Sequence, residues 1–319
     1  MDIILTVTGL VILLLAGDAL VRGAVNLGLR LGVPALIVSL TVVAFGTSAP
    51  ELLIAIRAII EGAPGIAFGN VVGSNTANIL MVLGVPALLA GLNTASCDSR
   101  RNYFTMLGAT VAFIALCWLG PLHYAHGVIL LAMLGAMLAD SFLSARRHRR
   151  GVKASACETC DEEDLEVADN SMSGWKIGLY LVLGIIGLPL GADLLVDGAL
   201  GLARHLGVSE TVIGLTLIAI GTSLPELATT VVAALRKHGD VALGNAIGSN
   251  MFNILAIMGI SSFFGPLSVP QGILNFDIWV MLASSLAILP FVVFRRNITR
   301  VWGGVLSVVY LIYMVVLLS

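Results

Sequence analysis

Long apolar runs, separated by short polar or turn-forming joints, fill almost the whole chain. A helix needs about 20 mostly apolar residues to cross a bilayer, and the runs are close to that length. Joints such as Gly62-Ala-Pro-Gly65 and Gly265-Pro266 are typical of the turns between helices. The pattern predicts an all-α protein with ten transmembrane helices, at residues 3–29, 35–61, 65–91, 102–120, 125–145, 175–203, 210–235, 240–264, 274–294 and 300–318.

The composition points to the same class of protein. Hydrophobic residues make up 58% of the 319 residues, charged residues make up 11%, and the mean hydropathy is +1.01. Such values are typical of polytopic membrane proteins. The formal net charge is −2, and the basic residues form short clusters at helix ends, which gives no support for nucleic-acid binding. We therefore expect a multi-pass protein in a lipid bilayer, and no protein partner is evident.

The two halves of the chain are copies of one another. A shift of 175 residues superposes Asp18 on Asp193 and Glu51 on Glu226 without a gap. Each half holds five predicted helices, an odd number, so the second half must enter the membrane from the opposite side. Inverted repeats are typical of secondary transporters, whose sites lie near the midplane where discontinuous helices of the two halves meet. The predicted division is a first repeat at 1–145, a charged loop at 146–173 and a second repeat at 174–319.

The loop between the repeats and the basic residues indicate the orientation. The loop starts basic and turns acidic but lacks the EF-hand pattern, so we interpret it as a flexible solvated linker. Cys157 and Cys160 have CxxC spacing without the second ligand pair of a zinc site, so we interpret them as reduced cytoplasmic thiols. With the N-terminus outside, only Arg57 and Arg204 of the 17 Lys and Arg residues lie outside. The positive-inside rule then predicts N-out and C-out topology in the cell inner (cytoplasmic) membrane.

One six-residue motif occurs twice within apolar runs, as Gly46-Thr-Ser-Ala-Pro-Glu51 and Gly221-Thr-Ser-Leu-Pro-Glu226. A charged residue at the centre of a membrane costs at least about 2.5 kcal/mol on insertion scales. The proline should break each helix and free backbone carbonyls. The carbonyls expected to be free include those of Ala44, Thr47, Ala219 and Thr222.

Carbonyl, hydroxyl and carboxylate oxygens in one place are hard ligands, which suit Ca²⁺ or Na⁺ rather than zinc or copper. The alternative is a proline kink whose glutamate pairs with a basic residue, although neither motif contains Lys or Arg.

A second motif pair, Gly69–Ile79 and Gly244–Ile254, repeats with the same offset. Its glycines form small-xxx-small pairs, which let another helix approach closely and taken alone usually indicate packing. Each copy also carries a serine and an asparagine four residues apart, on one helix face. These pairs are Ser74 with Asn78, and Ser249 with Asn253. Beside the duplicated carboxylate motif, we interpret this segment as the other wall of an ion site.

With its motifs GTSAPEL and GNVVGSNTANI, repeated as GTSLPEL and GNAIGSNMFNI, the chain resembles the Ca²⁺/cation antiporter superfamily over essentially its whole length. It is most similar to the prokaryotic sodium/calcium exchangers. The resemblance implies exchange of Ca²⁺ for Na⁺ without a cofactor. It also implies that helices 2, 3, 7 and 8 hold the ions while helices 1 and 6 slide across them to alternate access.

The resemblance further implies a set of ion ligands. The Ca²⁺ ligands would be Glu51, Glu226, Thr47 and Thr222. The flanking Na⁺ sites or site walls would comprise Ala44, Ser48 and Ser249 on one side and Ala219, Ser223 and Ser74 on the other.

Asn78 and Asn253 depart from part of the family. Some members have an aspartate at one of these positions, and the potassium-coupled relatives use a carboxylate there, so two asparagines argue against K⁺ dependence. The GTSxPE motif favours sodium over protons, because the proton/calcium exchangers have a different motif around the glutamate. A K⁺-dependent or H⁺/Ca²⁺ antiporter remains the alternative. Asp18 and Asp193, on the two helices expected to slide, are either gating residues or partners in interhelical hydrogen bonds.

An intramembrane enzyme and a passive cation channel are two alternatives from other classes of protein. An intramembrane enzyme would need a histidine near its nucleophile or metal, but all five histidines fall at helix ends or in loops, and no HExxH motif occurs. We therefore expect no enzymatic activity. A passive cation channel is compatible with the sequence, and counterflow discriminates it, because only an exchanger requires a second ion to move the other way.

Overall fold

A computed structural model describes residues 1–95, 97, 99–154, 172–205 and 221–318. Within these ranges the chain is helical, apart from turns and two isolated backbone bridges, Leu92 with Ile298 and Leu122 with Leu267. The helices are α1 (Asp2–Leu31), α2 (Ala35–Thr47 and Ala49–Ile60), α3 (Pro64–Ala90), α4 (Arg100–Trp118), α5 (Tyr124–Ala154), α6 (Gly174–His205), α7 (Leu224–Leu235), α8 (Gly239–Ser261), α9 (Ile273–Val293) and α10 (Arg300–Leu318). The all-helical prediction is confirmed for the described part of the chain.

Among the described residues, seven helices are long and apolar enough to cross a membrane, and the two segments of α2, which meet at 42°, would make an eighth. The described part of α7 is a shorter apolar helix. The count of ten spans and the N-out, C-out topology therefore stay predictions.

The breaks in α2 and before α7 have the same backbone geometry. Ser48 has φ −87° and ψ 2°, and Ser223 has φ −91° and ψ 3°, with the motif proline in the first turn of the helix that follows. Proline suits a first turn because its missing N–H would have no partner there. One expectation is wrong: the Ala44 carbonyl is not free, since it accepts a hydrogen bond from the Ser48 N–H at 3.0 Å. Because the helix breaks only at Ser48, the last hydrogen bond of the preceding turn is still formed.

Helices α2, α3, α7 and α8 form the interior of the molecule. The apolar segment of α8 is 100% buried and that of α3 83% buried, whereas those of α1 and α6 are 33% and 22% buried. The largest hydrophobic cluster joins this bundle to α4, α5, α9 and α10, and it also includes Val21 and Val25 of α1.

Helices α1 and α6 pack along each other at the periphery, through small residues. A Cβ atom at Gly198 would lie 2.5 Å from the Thr6 backbone nitrogen, and one at Gly191 would lie 2.8 Å from that of Leu13. A second hydrophobic cluster, which includes Leu20 and Leu188, attaches this pair to the bundle. The pair is thus packed closely within itself, and residues of both hydrophobic clusters attach it to the bundle.

Most of the predicted boundaries that fall on described residues lie within three residues of the observed ones, and the end of α5 differs by more. Helix α5 continues to Ala154, past its predicted end at 145, and α6 reaches His205 instead of 203. The linker predicted to begin at Arg146 is therefore helical over its first nine residues, since a solvated helix can extend beyond the apolar run that the membrane requires. The remainder of that loop, with Cys157 and Cys160, lies outside the described residues.

Candidate cation site

The two motif glutamates lie in the first turns of the helices that follow the breaks. Glu51 and Glu226 are each 1% exposed, and they are close enough to repel each other electrostatically. A helix N-terminus favours negative charge, which stabilises each carboxylate in part. Neither glutamate forms an ion pair with Lys or Arg among the residues described. The alternative of a kink with a paired glutamate is therefore not what the structure contains.

Hydroxyl groups of the first repeat face the carboxylate of the second. The Thr47 and Ser48 hydroxyls lie near the Glu226 carboxylate but lack the geometry of a hydrogen bond to it. The Thr47 hydroxyl is also 3.3 Å from the Ala44 carbonyl oxygen and 3.4 Å from the Ser249 hydroxyl. The Thr47 hydroxyl has a single hydrogen to donate, so it can satisfy only one of the oxygens around it. Such a cluster suits a cation.

Many polar atoms around the glutamates are buried without a hydrogen-bond partner. Leaving such a group unsatisfied costs about 1–3 kcal/mol, and more if it is charged. Among the predicted site residues these atoms are Ser48 Oγ, Glu51 Oε2, Asn78 Oδ1, Ser223 Oγ, both carboxylate oxygens of Glu226 and both amide atoms of Asn253. A bound cation would satisfy the oxygens in this set, which is the function expected of hard ligands.

Most of the predicted site residues are buried together. Ala44, Thr47, Ser48, Glu51, Ser74, Asn78, Ser223, Glu226, Ser249 and Asn253 are all buried. Thr222 is half-buried, and Ala219 lies outside the described residues. No group of three or more His, Cys, Asp or Glu side chains that could hold a metal ion occurs in the described ranges. The donors are thus two carboxylates with neutral oxygens, a set that fits Ca²⁺ and Na⁺.

Sequence reasoning missed two asparagines that organise the site. Asn250 accepts a hydrogen bond from the Asn78 amide at 3.1 Å and donates one to the Asn75 carbonyl at 3.2 Å, which joins the two repeats. Asn245 contacts Thr47. Both asparagines lie within the second duplicated motif, and their repeat counterparts are also asparagines. Duplication of these polar residues was the signal that could have found them.

The two aspartates on α1 and α6 have unlike surroundings. Asp18 forms ion pairs with Arg22, at 2.9 Å, and with Arg236 at the end of α7, whose Nε donates to Asp18 at 2.5 Å. Asp193 is exposed. The 175-residue shift places Asp197 on Arg22 and Glu61 on Arg236, so the basic partners of Asp18 have acidic counterparts. The ion pair between α1 and α7 therefore has no repeat-related equivalent, because acidic residues stand where its basic partners would be.

Fold and site together define the class of the protein as a multi-pass helical membrane protein with two buried carboxylates, each in the first turn of a helix that begins after a motif serine. The chain belongs to the sodium/calcium exchanger family, whose model, described as sodium/calcium exchanger protein, matches residues 1–142 and 176–319.

Individual relatives cover nearly the full chain. Sodium/calcium exchanger MaX1 of Methanosarcina acetivorans is 34% identical over 99% of this chain and 98% of its own. Inner membrane protein YrbG of Escherichia coli is 34% identical over 92% and 89%. A solved structure of the sodium-calcium exchanger NCX_Mj, soaked without Na⁺ and Ca²⁺, superposes with a TM-score of 0.79 at 29% identity and covers 99% of this chain and 98% of that one.

Proposed function

We propose that the chain exchanges Ca²⁺ for Na⁺ across the cytoplasmic membrane by alternating access, with Ca²⁺ held between Glu51 and Glu226. The observation that carries the proposal is the pair of buried carboxylates without basic partners, surrounded by unpartnered oxygens. Similarity to the sodium/calcium exchanger MaX1 and to the sodium-calcium exchanger NCX_Mj supports it. The inner-membrane location rests on the distribution of basic residues and on the name of YrbG.

The ligands are assigned by position in the site. Ca²⁺ would be bound by the two carboxylates with Thr47 and Thr222. The flanking Na⁺ positions and walls would be provided by Ala44, Ser48, Ser74, Asn78, Ala219, Ser223, Ser249 and Asn253. Burial of nearly all the described members of this set supports the assignment.

Coupling follows from charge. With both glutamates ionised the empty site carries two negative charges, and uncompensated buried charge is costly. One Ca²⁺ neutralises that charge, and so do two Na⁺ ions. Moving the sliding helices across an empty, doubly charged site is therefore costly. The site should change its access only with Ca²⁺ or Na⁺ bound, so each ion must be exchanged for the other. If a third Na⁺ binds, as the family resemblance implies, each cycle also moves net charge.

The moving part would be the α1–α6 pair. Its peripheral position and its close internal packing through small residues support movement of the pair as a unit across the bundle. In an inverted-repeat transporter such movement opens the fixed site to one side of the membrane at a time.

The experiment that tests this function is Ca²⁺ uptake into proteoliposomes loaded in turn with Na⁺, with K⁺ or with a proton gradient. We expect uptake only with an outward Na⁺ gradient, and no requirement for K⁺, because Asn78 and Asn253 are both neutral. Uptake driven by protons, or a strict K⁺ requirement, would favour the corresponding antiporter. Uptake without any counter-ion would indicate a channel.

A further inference from the structure

A single side-chain amide on α8 joins the broken helix of one repeat to the glutamate helix of the other. Asn245 is fully buried. Its oxygen accepts a hydrogen bond from the Thr47 hydroxyl at 3.5 Å, and its Nδ2 donates to the Thr230 hydroxyl at 3.2 Å and to the Glu226 backbone carbonyl at 3.4 Å. The amide thus connects the two faces of the cation site without presenting a charge to the ion.

The first repeat lacks this arrangement. The 175-residue shift places Asn70 on Asn245 and Ala55 on Thr230. The alanine methyl group cannot accept a hydrogen bond, and Asn70 Nδ2 is buried without a partner. This fold therefore tolerates a motif asparagine whose side-chain N–H group is unpaired. The Thr230 hydroxyl is thus not required simply to satisfy the buried amide of Asn245.

We propose that Asn245 and Thr230 are positioning residues that hold Thr47 and the Glu226 helix at the separation Ca²⁺ requires. The inference rests on the proposed function, because it deepens the account of that same site. Ca²⁺ takes six to eight oxygens at about 2.3–2.6 Å, so it must draw on both carboxylates at once. A side of the site that is already held in place loses less freedom on binding, which raises affinity.

Na⁺ ions depend less on this connection. Several Na⁺ ions would share the site, and each would use fewer ligands than one Ca²⁺ does. Loosening the Glu226 helix should therefore weaken Ca²⁺ binding more than Na⁺ binding. The ratio of the Ca²⁺ affinity to the Na⁺ affinity should change if Asn245 and Thr230 position the site. A general loss of folded protein would leave that ratio unchanged.

The test is isothermal titration of Ca²⁺ and of Na⁺ into the purified full-length protein. Thr230→Ala should raise the Kd for Ca²⁺ about fivefold or more, the effect of losing one buried hydrogen bond, while changing that for Na⁺ less. Thr230→Ser, which keeps the hydroxyl, should restore the Kd. The matched control is Thr229→Ala: Thr229 is also fully buried, but its hydroxyl donates to the Pro225 carbonyl of its own helix at 2.8 Å.

The results distinguish the two proposals. Equal Ca²⁺ affinities in Thr230→Ala and Thr229→Ala, or equal weakening of Ca²⁺ and Na⁺ binding in Thr230→Ala, would overturn the positioning role. Absence of Ca²⁺ binding by the unmodified protein would overturn the proposed function itself.

Discussion

At the scale of single residues, the unusual feature of this protein is a pair of buried carboxylates without basic partners. Glu51 and Glu226 have oxygens with no hydrogen-bond donor, although each sits in a helix first turn, where free N–H groups favour an anion. Keeping such groups buried destabilises the empty protein unless a cation completes the site. We therefore propose that polar residues around them act as cation ligands.

Glu51→Gln and Glu226→Gln should each abolish Ca²⁺ transport. One remaining carboxylate leaves a divalent ion with an uncompensated charge, which costs roughly 2.5–3.5 kcal/mol inside a membrane and corresponds to about a 100-fold loss. The measurement is Na⁺-driven Ca²⁺ uptake into proteoliposomes. Glu61→Gln is the control, because Glu61 is an exposed carboxylate that directly follows α2 and pairs with Arg57 at 2.8 Å. Near-normal uptake in either site variant would show that Ca²⁺ does not need both carboxylates.

The extent to which the site was predictable differs between residues. Glu51, Ser48 and Asn253 were predicted as site residues because polar groups in apolar runs, duplicated at a fixed offset, have few structural explanations, and all three are buried in the structure. Hydrogen bonds across the repeats, such as that of Asn245 with Thr230, depend on how two helices pack, and spacing along one helix does not reveal them. The free Ala44 carbonyl was wrongly expected because the break falls at Ser48 and not a turn earlier.

At the scale of helices, the two repeats have similar sequences but unlike contacts. Asn253 lies in a π-helical turn, Phe252–Ile257, whereas its counterpart Asn78 lies in a regular α-helix. Single π-helical turns are frequent at functional sites. Asymmetry of this kind gives the two asparagines different backbone geometry, even though their motifs match.

The ion pair between Asp18 and Arg236 should stabilise the arrangement in which α1 contacts the end of α7. Both side chains are partly exposed, at 28% and 25%, so its contribution is about 1 kcal/mol or less. Asp18→Asn should therefore raise hydrogen–deuterium exchange at the end of α7 by up to about fivefold. Asp197→Asn, which removes an exposed carboxylate from α6, should leave this exchange unchanged. Equal exchange in Asp18→Asn and the unmodified protein would show that the ion pair does not stabilise this contact.

At the scale of the whole molecule, the division into an interior bundle and a peripheral helix pair is the feature that alternating access requires. The length and apolar character of the helices were predictable, because the membrane imposes them. The end of α5 was not, since residues beyond the bilayer are free of that constraint. Orientation remains a prediction from the distribution of charge.

The predicted orientation places Cys157 and Cys160, outside the described residues, on the cytoplasmic side. An impermeant maleimide should label them in lysed cells but not in intact cells. Cys97 and Cys117 are buried and should give little background. A Glu61→Cys variant lacking the two loop cysteines is the opposite control, because residue 61 is predicted to lie outside. Labelling of the loop cysteines in intact cells at the rate seen after lysis would reverse the topology.

If one buried site binds either Ca²⁺ or Na⁺, the two ions must compete, and this competition is measured as equilibrium Ca²⁺ binding to the purified protein at increasing Na⁺ concentration. Competition for the same two carboxylates predicts that the apparent Kd for Ca²⁺ rises steeply with Na⁺, more than in proportion, because several Na⁺ ions replace one Ca²⁺. Choline at the same ionic strength should have little effect. A Kd for Ca²⁺ that is the same in Na⁺ and in choline would contradict a shared site.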